Sequence, residues 1–371
     1  RIPYAWGQEI EGLPVAIPYV DISSIGSGGG SIAYVDNIGV LHVGPEGAGA
    51  EPGPAAYGRG GVRPTVTDAY LVCGFIDPDN FIGGGISLDL ELARNAIRPL
   101  ADKLGLSVED TANGIIRVTT SVQVAEFSRL AAKKGIDYRR YTLVPFGGAG
   151  PTHACLLADE LRIGKIIIPS TPGTFCALGS VLADFRLDYV KVEYSDLDKI
   201  RESEVDRWYG SVAREGRVTL SDVMDSVVEL SVQKSVDVRY RGQGFEVSVP
   251  FDDLTEIPIR FREEYQKLYG SRQDDAAIEV TSFRATVVGH RTVPTLAVGR
   301  GNAPYPMPGS RDVFLTCEHL QVPVYRRADI GQGWSAAGPF IIDQADTTCV
   351  VTRGWTAAID ALGCLHLEKA H

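Results

Sequence analysis

The run Tyr141-Thr-Leu-Val-Pro-Phe-Gly-Gly-Ala-Gly-Pro-Thr-His153 constrains this chain more than any other stretch. An apolar, strand-like segment over 141–146 breaks into glycine, and a helix starts at once. Pro151 suits the first helical position, where a missing N–H costs nothing. Gly147, Gly148 and Gly150 remove side chains where the backbone turns, so a ligand can lie against bare main chain. The helix expected over 151–161 aims its unpaired N–H groups and positive dipole end at the same spot. Strand, bare loop and helix N-terminus form a common nucleotide-binding arrangement. The same pattern also suits a tight strand-to-helix turn with no ligand. A strand expected over 165–169 completes the β-loop-α-β alternation of an α/β domain.

With 371 residues, 44% hydrophobic and 22% charged, the chain is too apolar for disorder and long enough for two or three domains. Its net charge of −11, without a Lys/Arg block of five, argues against nucleic acid or an anionic membrane as the main partner. No apolar run approaches a membrane span, and no signal peptide opens the sequence. The cysteines (Cys73, Cys155, Cys176, Cys317, Cys349, Cys364) are scattered without a C-x-x-C pair. They read as reduced thiols of a cytoplasmic protein. H-E-x-x-H is absent, so the sequence assigns no metal to the chain itself. Residue 1 is Arg rather than Met, which reads as a longer polypeptide entered partway along.

Glycine is concentrated early: 18 of 41 fall within residues 1–90. Such density means backbone pressed close to something. Short strands are expected at 19–22 and 32–35. Ser107-Val-Glu-Asp110 is a near-capping box opening a helix that carries Thr111, Ile115, Val118, Val122 and Ala125 at helical spacing and stops at Gly135. A preceding helix from about residue 90 should be interrupted or kinked near Pro99. Residues 195–225 are charged and helical in character. Alternation over 227–249 predicts a hairpin turning at Arg241-Gly-Gln-Gly244, followed by a helix over 260–269 and a strand over 278–288. Beyond the Pro/Gly-rich link at 299–310, short strands read as a small β domain. The expected organisation is an α/β domain over 1–192, an α+β region over 193–294 and a C-terminal β-rich domain over 295–371.

Other loops carry candidate chemistry. Gly26-Ser-Gly-Gly-Gly-Ser31, with Asp21 upstream, is neither a Walker A loop nor a dinucleotide fingerprint, because no Lys follows and a strand takes the place of the helix. It is either a flexible turn or a ligand-contacting loop. Gly44 to Asp68 holds almost no apolar anchor, so it is either mobile or held around a bound molecule. Its polar handles are Glu46, Arg59, Thr67 and Asp68. Asp68 either orients a metal-bound phosphate or a substrate hydrogen bond, or caps the helix that follows. His153 sits in the first turn after the glycine loop, where the dipole favours a neutral ring. It either touches a ligand or simply packs.

Taken together, these loops resemble the A subunit of the ATP-dependent hydantoinase and 5-oxoprolinase family, which includes smaller subunits of acetone and acetophenone carboxylases and of caprolactamase. The resemblance is carried by Asp21-Ile-Ser-Ser-Ile-Gly-Ser-Gly-Gly-Gly-Ser31, Val43-Gly-Pro-Glu-Gly-Ala-Gly-Ala-Glu-Pro-Gly-Pro54 and Pro64-Thr-Val-Thr-Asp68. Phe146-Gly-Gly-Ala-Gly-Pro-Thr-His-Ala154, Ala177-Leu-Gly-Ser-Val-Leu-Ala-Asp184, Gly338-Pro-Phe-Ile-Ile-Asp-Gln344 and Thr347-Thr-Cys-Val-Val351 extend it across the chain. It implies an actin-like ATPase core of the sugar-kinase and heat-shock-chaperone type. Gly147, Gly148, Ala149, Gly150 and His153 would then face the nucleoside. Asp21, Gly28, Gly29, Gly30, Ser31, Glu46 and Thr67 would line the phosphate or substrate side, with Asp68 as the catalytic candidate.

ATP with Mg²⁺ is the implied cofactor. The family's two upstream phosphate loops are absent from this sequence, so the N-terminal half of the ATPase domain is expected as upstream or separate chain, beside a large B-type partner subunit. The implied activity is a subunit of an ATP-dependent ring-amide hydrolase acting on a hydantoin, 5-oxoproline or a related lactam. The alternatives are a subunit of an ATP-dependent ketone carboxylase and a non-catalytic scaffold.

Overall fold

A computed structural model describes residues 4–5, 8–10, 13–15, 19–20, 22–221, 227–271, 273–292 and 306–370. The chain divides into two units, Arg1–Cys176 with Leu296–His371, and Ala177–Thr295. Among the described residues no helix is long and apolar enough to cross a membrane.

The first unit opens on short antiparallel pairs, β1 (Tyr4–Ala5) with β4 (Tyr19–Val20) and β2 (Gln8–Ile10) with β3 (Leu13–Val15). A hairpin of β5 (Ser31–Val35) and β6 (Leu41–Gly47) follows, then α1 (Val66–Val72), α2 (Leu90–Leu104) and α3 (Val108–Lys133). α3 starts as its sequence dictates: Ser107 Oγ accepts from the Asp110 amide at 2.9 Å and donates to the Asp110 carboxylate at 2.6 Å. Its buried side is Thr111, Ala112, Ile115, Ile116, Thr119 and Thr120. Val122 and Ala125, expected on that side, are not buried; in the second half of the helix Val124 and Phe127 pack instead against the cluster that holds Ala154 and Trp355. α2 runs through Pro99 as one helix rather than breaking there. Ala96, Ile97, Leu100 and Ala101 are buried around the proline, and their packing outweighs the lost backbone hydrogen bond.

α4 (Gly150–Leu161) and β7 (Lys165–Ile168) come next, followed by α5 (Phe175–Leu182). The strand expected over 141–146 shrinks to a single parallel bridge between Leu143 and Ile166. Pro145 has no N–H to donate, and Tyr141, Val144 and Phe146 are exposed, so little holds a ladder there.

The second unit is a four-stranded antiparallel sheet, formed in chain order by β8 (Phe185–Asp196), α6 (Glu202–Thr219), β9 (Val227–Tyr240), β10 (Val247–Pro250), α7 (Ile257–Tyr269) and β11 (Ile278–Arg291). The spatial order is β10-β9-β11-β8. The expected hairpin is β9 with β10, turning through Gly242 at φ +86°. Both helices bury one face against the sheet, with Val205, Tyr209, Val212, Phe261, Val236, Val238, Phe283 and Val287 in one core.

The chain then returns to the first unit with β12 (Gly309–Leu315), β13 (Glu318–Arg326), β14 (Ser335–Ala337), β15 (Phe340–Gln344), β16 (Thr347–Val351), β17 (Trp355–Ile359) and β18 (Leu365–Lys369). Two sheets result, ordered β12-β13-β15-β16 and β14-β17-β18-β7. The second contains β7 from far upstream, with Leu365 opposite Ile168 and Leu367 opposite Ile166. The grouping therefore differs from the expected segments 1–192, 193–294 and 295–371. Residues 306–370 share a core with α4 and β7, including Ala154, Cys155, Ile166, Trp355 and Leu367. Val313, Ile341 and Val350 join the core of α1, α2 and α3. The physical reason is that the β7 run Lys-Ile-Ile-Ile needs a paired neighbour, and that neighbour is the last strand.

Gly216 on α6 tests the packing of the second unit. A Cβ there would lie 2.7–2.9 Å from the Val287 side chain, which is fully buried and stiff. Gly216→Ala should cost about 2 kcal/mol of that unit's stability. Urea unfolding followed by the fluorescence of nearby Trp208 reads the loss; an unchanged midpoint would contradict the packing.

Candidate functional site

Two glycine loops of the first unit stand side by side. In the earlier loop, Gly28 O accepts from the Ser31 amide at 3.0 Å, and Ser31 Oγ accepts from the Gly28 amide at 3.0 Å. Gly29 O accepts twice from Thr67, from its amide at 2.8 Å and its Oγ1 at 2.9 Å. Gly30 O accepts from the Ala48 amide at 2.8 Å. Gln123 of α3 donates to Ser27 Oγ at 3.3 Å. Every carbonyl from Gly28 to Gly30 is thus tied inward. The amides of Gly29 and Gly30 take no partner among the described residues.

The later loop repeats the device. The Gly147 amide, at φ +79°, donates to Pro172 O at 2.7 Å. Gly148 O accepts from Thr347 Oγ1 at 2.7 Å. The Gly148 and Ala149 amides take no partner among the described residues, and Ala149, the N-cap of α4, offers no side-chain cap. A Cβ built on Gly29 would sit 3.6 Å from Ala149 Cβ and 2.9 Å from Thr67 Oγ1, so that glycine permits the close approach. Built on Gly28, Gly30 or Gly147 it would meet nothing within 4 Å, so those faces are open. Bare backbone, tied carbonyls, unsatisfied amides and an uncapped helix N-terminus together suit an anion.

The structure gives other expected residues different work. Asp68 is fully buried. Its carboxylate accepts from the amides of Ala56 and Thr65 at 2.8 Å each and Ala55 at 3.3 Å, and from Thr65 Oγ1 at 2.8 Å. Thr65 Oγ1 in turn accepts from the Asp68 amide, closing a capping box at the start of α1. Burial pushes the carboxyl above its ordinary range, and the Ala56, Thr65 and Ala55 bonds pull it partly back. The catalytic expectation for Asp68 is corrected: both oxygens are spent on the protein, and no face remains for substrate. Asp68 also anchors the glycine-rich stretch before it, through the amides of the buried Ala55 and Ala56.

His153 is likewise buried, and the expectation that it faces the nucleoside is corrected. Thr120 Oγ1 spends its hydrogen on Ile116 O, so the ring donates from Nε2 to Thr120 Oγ1 at 2.9 Å. The Tyr70 hydroxyl then donates to Nδ1 at 2.6 Å. Burial lowers the ring to about 4, so it is neutral at physiological pH. The histidine bolts α1, α3 and α4 together behind the loops. Glu46 forms an exposed bidentate pair with Arg63 at 2.6 and 2.9 Å, which contributes little. Ser31 is buried, its hydroxyl occupied by Gly28. Asp21 lies outside the described residues. Gln123, Thr120 and Tyr70 carried no local sequence signal, and Thr347 stood only within a family motif with no role attached, since each acts through a residue distant in the chain.

Two outcomes follow. Asp68→Ala leaves three amides without an acceptor and should cost about 3 kcal/mol. Asp68→Asn, which keeps one acceptor oxygen, should lose less; denaturant titration checks the order, and an Asp68→Ala as stable as the parent would contradict the capping assignment. For His153, the unfolded ring takes a proton near pH 6.5 and the folded ring only at about 4. Its contribution is complete above 6.5 and is lost as pH falls through that window, to a limit on the order of 3 kcal/mol. His153→Gln should flatten the stability profile between pH 6.5 and 4; the parent's slope persisting in the variant would contradict the assignment.

Comparison with known proteins shows the family to which the chain belongs. Residues 3–189 match the Hydantoinase/oxoprolinase family model, and residues 220–370 match the Hydantoinase/oxoprolinase C-terminal domain. An uncharacterized protein of Methanocaldococcus jannaschii is 36% identical over 96% of this chain and 52% of its own length. Caprolactamase subunit alpha of Pseudomonas jessenii is 31% identical over 96% of this chain and 54% of its own. The nucleotide-free structure of acetone carboxylase superposes with a TM-score of 0.81 at 23% identity, covering 100% of this chain and 55% of that one. The chain spans about half the length of the curated relatives it matches. The fold is the mixed α/β, actin-like ATPase type expected from the motifs. On the evidence of both family models and of identity along nearly its whole length, the chain belongs to the hydantoinase/oxoprolinase family.

Proposed function

We propose that the paired glycine loops are this chain's share of an ATP site, in an enzyme that phosphorylates the carbonyl oxygen of a ring amide. The observation that carries the reading is the pairing itself: inward carbonyls, outward amides and open glycine faces on two adjacent loops. Amides of Gly29, Gly30, Gly148 and Ala149 donate to phosphate oxygens, and the positive end of α4 adds to the attraction. The open face at Gly147 leaves room for the nucleoside. Magnesium accompanies the nucleotide as its counter-ion. Among the described residues no three His, Cys, Asp or Glu side chains gather to hold a metal.

The chemistry follows from a weak electrophile. A lactam carbon resists water because nitrogen feeds electrons to its carbonyl. Transfer of the γ-phosphoryl group to the amide oxygen gives ADP and an O-phosphorylated imidate. Water adds at the activated carbon, the protonated ring nitrogen leaves as the amine to give an acyl phosphate, and a second water releases phosphate and the carboxylate. Positioning of the two reactants and stabilisation of moving charge supply the rate. The remaining half of the ATP site and the ring-opening groups belong to further chain and to a large partner subunit. The relative named caprolactamase subunit alpha supports the lactam. A second reading, phosphorylation of a ketone's enol oxygen before carboxylation, is favoured by the fold shared with acetone carboxylase.

ATP turnover of the complex assembled with a partner subunit separates them. A lactam or hydantoin should raise it at least tenfold; stimulation by ketone plus bicarbonate instead would transfer the assignment, and indifference to both would leave a scaffold. Within the chain, Gly148→Val should abolish nucleotide binding while the melting temperature stays within a degree or two. The nearest atom to a Cβ at that position, Asp346 O, lies 3.8 Å away, at ordinary van der Waals contact. Unchanged affinity in calorimetry would remove the site.

A further inference from the structure

The segments matched by the two family models, 3–189 and 220–370, meet at the later glycine loop. The turn joining β15 to β16 reaches it through several bonds. Gln344 Nε2 donates to Ser170 O at 2.9 Å. Asp346 Oδ2 accepts from the Gly173 amide at 2.7 Å, while its Oδ1 is enclosed and takes no partner. Thr347 Oγ1 donates to Gly148 O, and Thr152 Oγ1 donates back to Thr348 O, each at 2.7 Å. Pro172 O, beside Gly173, receives the Gly147 amide at 2.7 Å. Loop, turn and the 170–174 segment therefore form one lattice of short bonds.

A peptide group is planar and trans, so its carbonyl and the N–H of the next residue point in opposite directions. Fixing Gly148 O inward fixes the Ala149 N–H outward. Thr67 does the same in the other loop, where its grip on Gly29 O aims the Gly30 N–H. Gly148 has no side chain to resist rotation of that peptide, so without an anchor the plane is free to turn and the donor is lost.

We propose that the β15–β16 turn is a clamp on the later glycine loop, with Thr347 the positioning residue that aims the Ala149 amide and Asp346 the brace that holds the 170–174 segment beneath it. The proposal rests on the nucleotide reading above for its purpose, but the clamp itself is a property of the loop. It assigns the C-terminal family segment a direct part in the site.

Thr347→Val keeps the shape of the side chain and deletes its donor; Thr347→Ser restores it. In the assembled complex, ADP affinity measured by calorimetry should fall roughly tenfold in Thr347→Val, the loss of about one hydrogen bond, and recover in Thr347→Ser. Amide hydrogen exchange without nucleotide should be several-fold faster at 147–153 in Thr347→Val, normal in Thr347→Ser, and unchanged in the second unit. Gly173→Ala attacks the same turn from the other side, because its Cβ would lie 2.5 Å from Asp346 Oδ2; it should quicken exchange at 147–153 as well. Exchange identical to the parent in both Thr347→Val and Gly173→Ala would overturn the clamp. If the parent complex fails to bind ADP, the nucleotide reading falls, and the exchange comparison still decides the clamp.

Discussion

A peptide cannot turn its carbonyl inward without turning the neighbouring N–H outward, and the candidate site of this chain depends on that rigidity. Glycine supplies bare backbone but no preference for which way a peptide faces. The direction comes from hydroxyls set elsewhere in the sequence. Thr67 takes hold of Gly29 O, and Thr347 takes hold of Gly148 O, by the same kind of bond. Open glycine loops become donor arrays only because other residues have used up their acceptors.

Behind the loops lies a polar core that would be costly if left incomplete. Asp68 satisfies three amides and a hydroxyl, and the Tyr70–His153–Thr120 chain links three helices with every ring nitrogen paired. Arg311 on β12 adds a further tie, donating to Asp343 on β15 at 2.7 Å and to Asp77 beyond α1 at 3.1 Å. Such groups are stable in the interior because each has its partner. They fix α1, α3, α4 and the returning strands in one arrangement, and the glycine loops inherit that arrangement.

Local chemistry in the sequence was a good guide wherever the signal and its consequence were close together. Ser107 and Asp110 open α3, the Arg241–Gly244 turn makes its hairpin, and the glycine turn before Pro151 leads into a helix. It was a poor guide to Asp68 and His153, whose residue types suit catalysis but whose burial depends on helices packed around them. The return of the last strand to β7 was hidden for the same reason. Pairing of Leu365 with Ile168 is set by the whole fold, and nothing near either residue announces it. Thr347 is the plainest case: its motif marks the family, but its role shows only once the fold sets it 2.7 Å from Gly148 O.

A structure of the full assembly with a non-hydrolysable ATP analogue tests the central claim most directly. The account predicts phosphate oxygens within hydrogen-bond reach of the Gly30 and Ala149 amides, with Gly29 O and Gly148 O still held by their threonines. Nucleotide bound elsewhere, with the two loops closed over by the protein's own atoms, would contradict it.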